Sequence, residues 1–274
     1  MQSVNTNIGA MIALQNLNAT SSQLQKTQQI ISTGLKVASA KDDGATYAIA
    51  QSQRATVSSL DAVKDSLNRG SSVVDVAMSA GDSITSLLSQ MKDKALAASD
   101  TSLDTTSRQA MATDFNSLRD QITKTLSNAS FNGINIINGQ NASISALANA
   151  QGTSVLTVQG QNMSLGGSIV TVGTTASFAT ATSASNLLTT LDNSINNVSA
   201  SLAKLGTSST ALQNHMTFVG KLQDSLNAGI GNLVDADMAS ESAKLQALQT
   251  KQQLGVQALS IANQSTSTVL SLFR

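Results

Sequence analysis

Residues 184–233 read ASNLLTTLDNSINNVSASLAKLGTSSTALQNHMTFVGKLQDSLNAGIGNL. Ala184, Leu188, Leu191, Ile195, Val198, Leu202, Leu205, Ser209, Leu212, Met216, Val219, Gln223, Leu226, Ile230 and Leu233 follow one another in steps of three and four, without a slip. Such a seam belongs to a helix that packs lengthwise on other helices. About fifty residues at 1.5 Å each give a rod of ~75 Å, which must lie along other rods. Gly229 and Gly231 weaken its end. The pattern then shifts by one position to Met238, Leu245, Gln252 and Leu259, so a new packing unit begins around Leu233–Asp237.

Three more stretches carry the same period. Ala10, Leu17, Leu24 and Ile31 recur every seven residues, flanked by Leu14 and Leu35, and a polar break, Ser39–Gly44, follows. Val73, Ala77, Ala80, Ile84, Leu87 and Met91 form a second seam. Met111, Phe115, Leu118, Ile122, Thr125 and Ala129 form a third, after a turn at 98–106. So short a connection implies an antiparallel hairpin of helices. The pairs Asp65–Arg69 and Asp120–Lys124 have the i,i+4 spacing that supports a helix face. Residues 125–191 contain no charged side chain and are rich in Gly, Asn, Ser and Thr. Phe131–Gly139 reads as a turn into a strand, and Val155–Val158 and Ile169–Val172 as two further strands. The predicted fold is mainly α, a long antiparallel helical bundle or coiled coil with a small β-hairpin region.

The two ends differ from the middle. Residues 1–41 hold no Asp or Glu and only Lys26, Lys36 and Lys41; residues 252–274 hold no charge but Arg274. A solvated helix normally opposes a charged face to its apolar stripe. Here Ser, Thr, Asn and Gln take that place, so little repulsion keeps these helices from packing against copies of themselves. A lone helix of this kind does not offset its ordering entropy, and residues 1–40 and 238–274 are expected to fold only on assembly. The middle, 45–233, is expected to stay folded by itself.

Composition excludes much chemistry. Net charge is zero and 12% of residues are charged, so no basic field attracts nucleic acid. Cys, Pro and Trp are absent. Without Pro, helices run unbroken and refold without slow isomerisation. No run reaches the length of a membrane span, and the polar faces of the termini lack the Lys and Arg of interfacial helices, so membrane insertion is not expected. His215 and Glu241 are the sole His and Glu, and no Gly-x-Ser-x-Gly elbow or phosphate loop occurs. No catalytic residue, metal site or cofactor is expected. Asp42 and Asp43 read as charge at a helix N-terminus rather than as cation ligands.

Several segments, in order, resemble bacterial flagellin. Ile8–Leu17 and Ile31–Asp43 look like the family's N-terminal signature; Phe131–Ile136 resembles its turn into the β region. Leu233–Ala239, Gln257–Gln264 and Val269–Arg274 resemble its C-terminal signature. The length is similar to that of short flagellins without large outer domains. The resemblance implies an inner coiled-coil domain from 1–44 and 235–274, a helical core at 45–234 and a β-rich outer segment near 131–178. It implies a homopolymer in the extracellular flagellum, with the export apparatus, an export chaperone, the filament cap and hook-junction proteins as partners. A hook-associated junction protein sharing the same termini is the alternative. In many flagellins a basic residue of the helix with the second seam takes part in recognition by an animal immune receptor; Gln90 stands where the resemblance implies Arg, and Lys94 where it implies an apolar residue, so that recognition is not expected here. The expected polymerisation interface is Leu14, Leu17, Leu24, Ile31, Leu35, Leu245, Leu248, Leu259, Val269, Leu270, Leu272 and Phe273.

Overall fold

The computed structural model describes residues 6–271, with side chains for 6–264. Five helices and one hairpin follow in order: α1 (Ile8–Thr33), α2 (Gly44–Ala98), α3 (Thr105–Asn128), β1 (Ser143–Leu147), β2 (Val155–Gln159), α4 (Ala181–Val234) and α5 (Met238–Ser271). They form two compact units, one from residues 1–55 with 225–274 and the other from 56–224.

In the 56–224 unit, α2 buries a line from Leu60, Val63, Leu67, Gly70, Val74, Ala77, Gly81, Ile84, Leu88, Met91 and Ala95 to Ala98 in steps of three and four, with Val73 and Ala80 buried beside it and Leu87 at its edge. It runs antiparallel to α4. Gln223 Nε2 donates to Val57 O (3.1 Å) and Asp61 Oδ1 (2.8 Å), and Lys92 pairs with Asp192 at 2.6 Å. Gly81 lies against Leu202: a Cβ there would stand 2.6 Å from Leu202 Cδ2. The buried line of α4 includes Ser194, Ser201 and Ser209, each small enough for close approach. Ser194 and Ser201 return their hydroxyls to the carbonyls of Thr190 and Asn197 four residues back.

The third seam keeps Phe115, Ile122 and Ala129 of the expected line and takes Ala112 and Leu126 in place of Met111 and Thr125. Arg108, Ala112, Phe115, Ile122, Leu126 and Ala129 are buried, while Met111, Leu118 and Thr125 sit at its edge. Arg108 extends the buried line to the start of the helix. Its Nε donates to Ala98 O and its Nη2 to Asp100 O and Leu103 O, at 2.9–3.0 Å. A buried guanidinium thereby satisfies the carbonyls left open by the end of α2 and by the turn. Asp104 caps α3 by accepting from Ser107 N and Oγ.

The β region is smaller than expected. β2 coincides with the predicted Val155–Val158, and its antiparallel partner is Ser143–Leu147, which the sequence reading passed over. Phe131–Ile134 closes a tight turn, with Asn132 and Gly133 at φ 50° and 78°. No strand follows it directly, because Asn135 Oδ1 binds the amides of Ile137 and Asn138 while its Nδ2 reaches Leu126 O. Ile169–Val172 is not a strand either. Thr171 N donates to Ser194 Oγ, so a helix side chain takes the place of a ladder partner and buries Val170 and Val172. The i,i+4 expectation also shifts: Asp120 meets its neighbour Arg119 at 3.1 Å.

Candidate self-association surface

The unit made from both ends of the chain is built on α1 and α5. Asn7 caps α1 by accepting from Ala10 N, and Gly34, at φ 72°, ends it. Only glycine adopts that conformation without strain. Beyond it, Ala236 N donates to Gly34 O and Lys36 N to Val234 O, closing a short bridge between Leu35 and Asp235. Asn7 Nδ2 reaches Ala262 O at 2.8 Å, and Leu17 faces Gly255. Residue 7 thus meets 262, 17 meets 255 and 35 meets 235, which makes the pair antiparallel. Asp43 caps α2, accepting from Ala45 N, Thr46 N and Thr46 Oγ1. The Thr46 hydroxyl and amide hold its carboxyl below the ordinary range, and the Ser39 hydroxyl and amide do the same for Asp42.

The seam of this pair is thin. From α1 it takes Ala13, Leu17, Thr20, Leu24, Thr27 and Ile31; from α5, Glu241, Leu245, Leu248, Gln252, Gly255 and Leu259. Among these twelve, only Thr20, Thr27 and Leu248 are fully buried. Glu241 joins Lys244 through one oxygen, while its Oε2 is buried without a partner. Of the residues expected to form the interface, Leu17, Leu24, Ile31, Leu245, Leu248 and Leu259 face this internal seam, and Leu35 lies half-buried beside it. Leu14 is exposed. The side chains of Val269 and Leu270, and Leu272 and Phe273 entirely, lie outside the described residues.

A second set of apolar side chains escaped the sequence reading. Ile8, Met11, Ile12, Leu254, Val256 and Ile261 lie off the seam and face solvent, Ile261 at 68% and Met11 at 62%. No charge breaks up this surface on α1 or on α5 beyond Lys251, save Lys26. The signal lay in the sequence: these residues are the apolar ones out of phase with the heptad. Once Thr20 and Thr27 fill the seam, the phase leaves no inward position for Leu14 or Met11.

Elsewhere the described residues hold little that reacts. His215 Nε2 lies 2.7 Å from Ala148 O, and its ring leans on Phe218. Among the described residues no three His, Cys, Asp or Glu side chains group as metal ligands, and no helix is long and apolar enough to cross a membrane. Gln90 is exposed, and Lys94 pairs with Asp114 at 2.7 Å.

Residues 4–142 match the family model of the bacterial flagellin N-terminal helical region, and 188–273 that of the C-terminal helical region. The chain is 60% identical to Flagellin FljM of Caulobacter vibrioides over 274 residues, covering all of this chain and 99% of the relative. It is 36% identical to a flagellin of Brucella melitensis, covering the whole of both chains. Among solved structures it is similar to Bacillus cereus flagellin, at 19% identity and a TM-score of 0.43, over 66% of this chain and 94% of that one.

Proposed function

This chain belongs to the bacterial flagellins, the subunits of the flagellar filament, and from that premise we propose that its two terminal helices are what polymerise it. The protein is structural rather than enzymatic, and its place is the extracellular flagellum. Residues 1–44 and 235–274 form the inner layer of the filament, and 45–234 form the core around it. The observation that carries this reading is the row of exposed apolar side chains on a helix pair almost without charge. Burying one such Ile or Leu contributes roughly 1.5–3 kcal/mol. Half a dozen per subunit, on both faces of every contact, hold a polymer whose single interfaces are weak.

The work divides between two sets of residues. Leu17, Leu24, Ile31, Leu245, Leu248 and Leu259 hold α1 to α5. Leu14, Ile8, Met11, Ile12, Leu254, Val256 and Ile261 bind neighbouring copies, and Val269, Leu270, Leu272 and Phe273 extend that contact. Because the internal seam is thin, the pair orders fully only when neighbours cover it. The proposed further partners are the export apparatus, an export chaperone that shields the same apolar row, the cap and the hook-junction proteins.

Negative-stain images of purified protein shifted to assembly conditions test the reading. Long tubes of constant diameter are expected, with more helix by circular dichroism in the polymer than in the monomer. A chain that stays monomeric by itself, or whose helix content is the same in both states, overturns it.

A further inference from the structure

With no Cys and no Trp, mild oxidation of this chain falls on methionine. The structure sorts those thioethers by access. Met91 and Met163 are fully buried, and Met78, Met111 and Met216 are half-buried. Met11 is 62% exposed and Met238 41% exposed. Met11 is exposed, as are Ile8, Ile12 and Leu14 close by in sequence, and lines a groove of about 410 Å³ with Ala10, Leu14 and Leu259 and the polar Thr6, Asn7 and Asn263.

We propose that Met11 is an oxidation site that governs self-association: peroxide turns its thioether into a sulfoxide, and the oxidised chain polymerises poorly. This rests on the assembly role of the terminal helices. In the step, the peroxide O–O bond breaks, one oxygen bonds to Sδ, and the other leaves as water. Sulfur gives up two electrons and the peroxide takes them. The product carries a strong acceptor where the thioether was a weak one. Ile8, Ile12 and Leu14 offer it no hydrogen, and of the polar groups in the groove Asn7 Nδ2 already donates to Ala262 O. When a neighbouring copy covers this face, the new oxygen loses its water, and a bond to a groove amide would have to break one already made. Met91 and Met163 react last because peroxide does not reach them in the folded chain. In the polymer Met11 becomes as slow as they are.

Monomer and preformed polymer are treated with hydrogen peroxide, and oxidation at each Met is followed by peptide mass spectrometry. Met11 is expected to gain one oxygen early in the monomer and many times more slowly in the polymer. The treated monomer is expected to need about a tenfold higher concentration to polymerise. A methionine sulfoxide reductase restores the original threshold. Met11→Leu keeps an apolar side chain of similar size, and its own untreated threshold, whatever its value, is expected not to move after peroxide. Met238→Leu is expected to stay as sensitive as the parent chain. The inference is overturned if Met11-oxidised chain polymerises at the usual threshold, if Met11→Leu loses assembly as the parent does, or if Met11 reacts equally fast in the polymer. Untreated protein that fails to polymerise overturns the assembly role itself, a separate outcome.

Discussion

Individual residues set the fold's tightest tolerances, and the glycines show it. Gly160 follows β2, and a Cβ there would run into Asn141 O and stand 2.9 Å from Ile136 O. These are backbone atoms that cannot swing aside. Gly160→Ala is expected to lower stability by about 2 kcal/mol in urea unfolding. Gly206 lies inside α4 with nothing within 4 Å of its added Cβ and no positive φ. There alanine is expected to raise stability by about 0.5–1 kcal/mol, because only the backbone-entropy cost of glycine changes. The same measurement checks both signs. The cap residues carry the pH response. The Ser107 amide and hydroxyl hold Asp104 below the ordinary carboxylate value of 3.8, as the Thr46 hydroxyl and amide hold Asp43. A carboxyl whose folded value is lowered contributes stability above its unfolded value, and loses it as pH falls through the folded one. Asp104→Asn keeps an acceptor at the cap but nothing to protonate. Its stability is therefore expected to fall less steeply than that of the parent chain between about pH 4 and pH 2, read by thermal unfolding across that range.

Along the elements, the heptad was legible where its positions are large and apolar, as through Leu191, Val198, Leu205, Leu212 and Val219 of α4, all buried. It was misread where a polar or small residue takes the seam. Ala112 and Leu126 take the α3 seam in place of Met111 and Thr125 with Arg108 buried ahead of them, Thr20 and Thr27 join Leu17, Leu24 and Ile31 in α1, and Gly70 and Gly81 are buried in α2. Hydrophobic period does not register a guanidinium that is buried because three carbonyls need it. The β region was half legible for a similar reason: Val170 and Val172 have strand composition, but Ser194 bonds the backbone between them. Composition marks α1 and α5 as helices almost without charge but does not say which of their apolar residues face the internal seam and which face solvent. That distinction is testable by element. Leu248→Ala is expected to cost about 2 kcal/mol of the α1–α5 pairing and to reduce the helix content gained on polymerising. Ile261→Ser is expected to leave the monomer spectrum unchanged and to raise the polymerisation threshold roughly tenfold. Equal behaviour of the two variants would mean that seam and outer row are not separate.

At the scale of the whole molecule, a subunit with no Pro, no Cys and 12% charge joins two compact units of different character. The unit from 56–224 closes its own core around Phe115, Ile122, Met163 and Phe178, with the two phenylalanine rings edge to face at 5.3 Å. The unit made from the chain ends leaves its best apolar side chains in solvent. On the proposed reading, the first unit stays folded by itself and the second is completed when copies meet. Hydrogen–deuterium exchange on monomer and polymer reads that division segment by segment. Amides of α1 and α5 should exchange fast in the monomer and gain strong protection in the polymer, while those buried in 56–224 change little. Terminal helices already protected in the monomer, or protection gained mainly within 56–224, would contradict it.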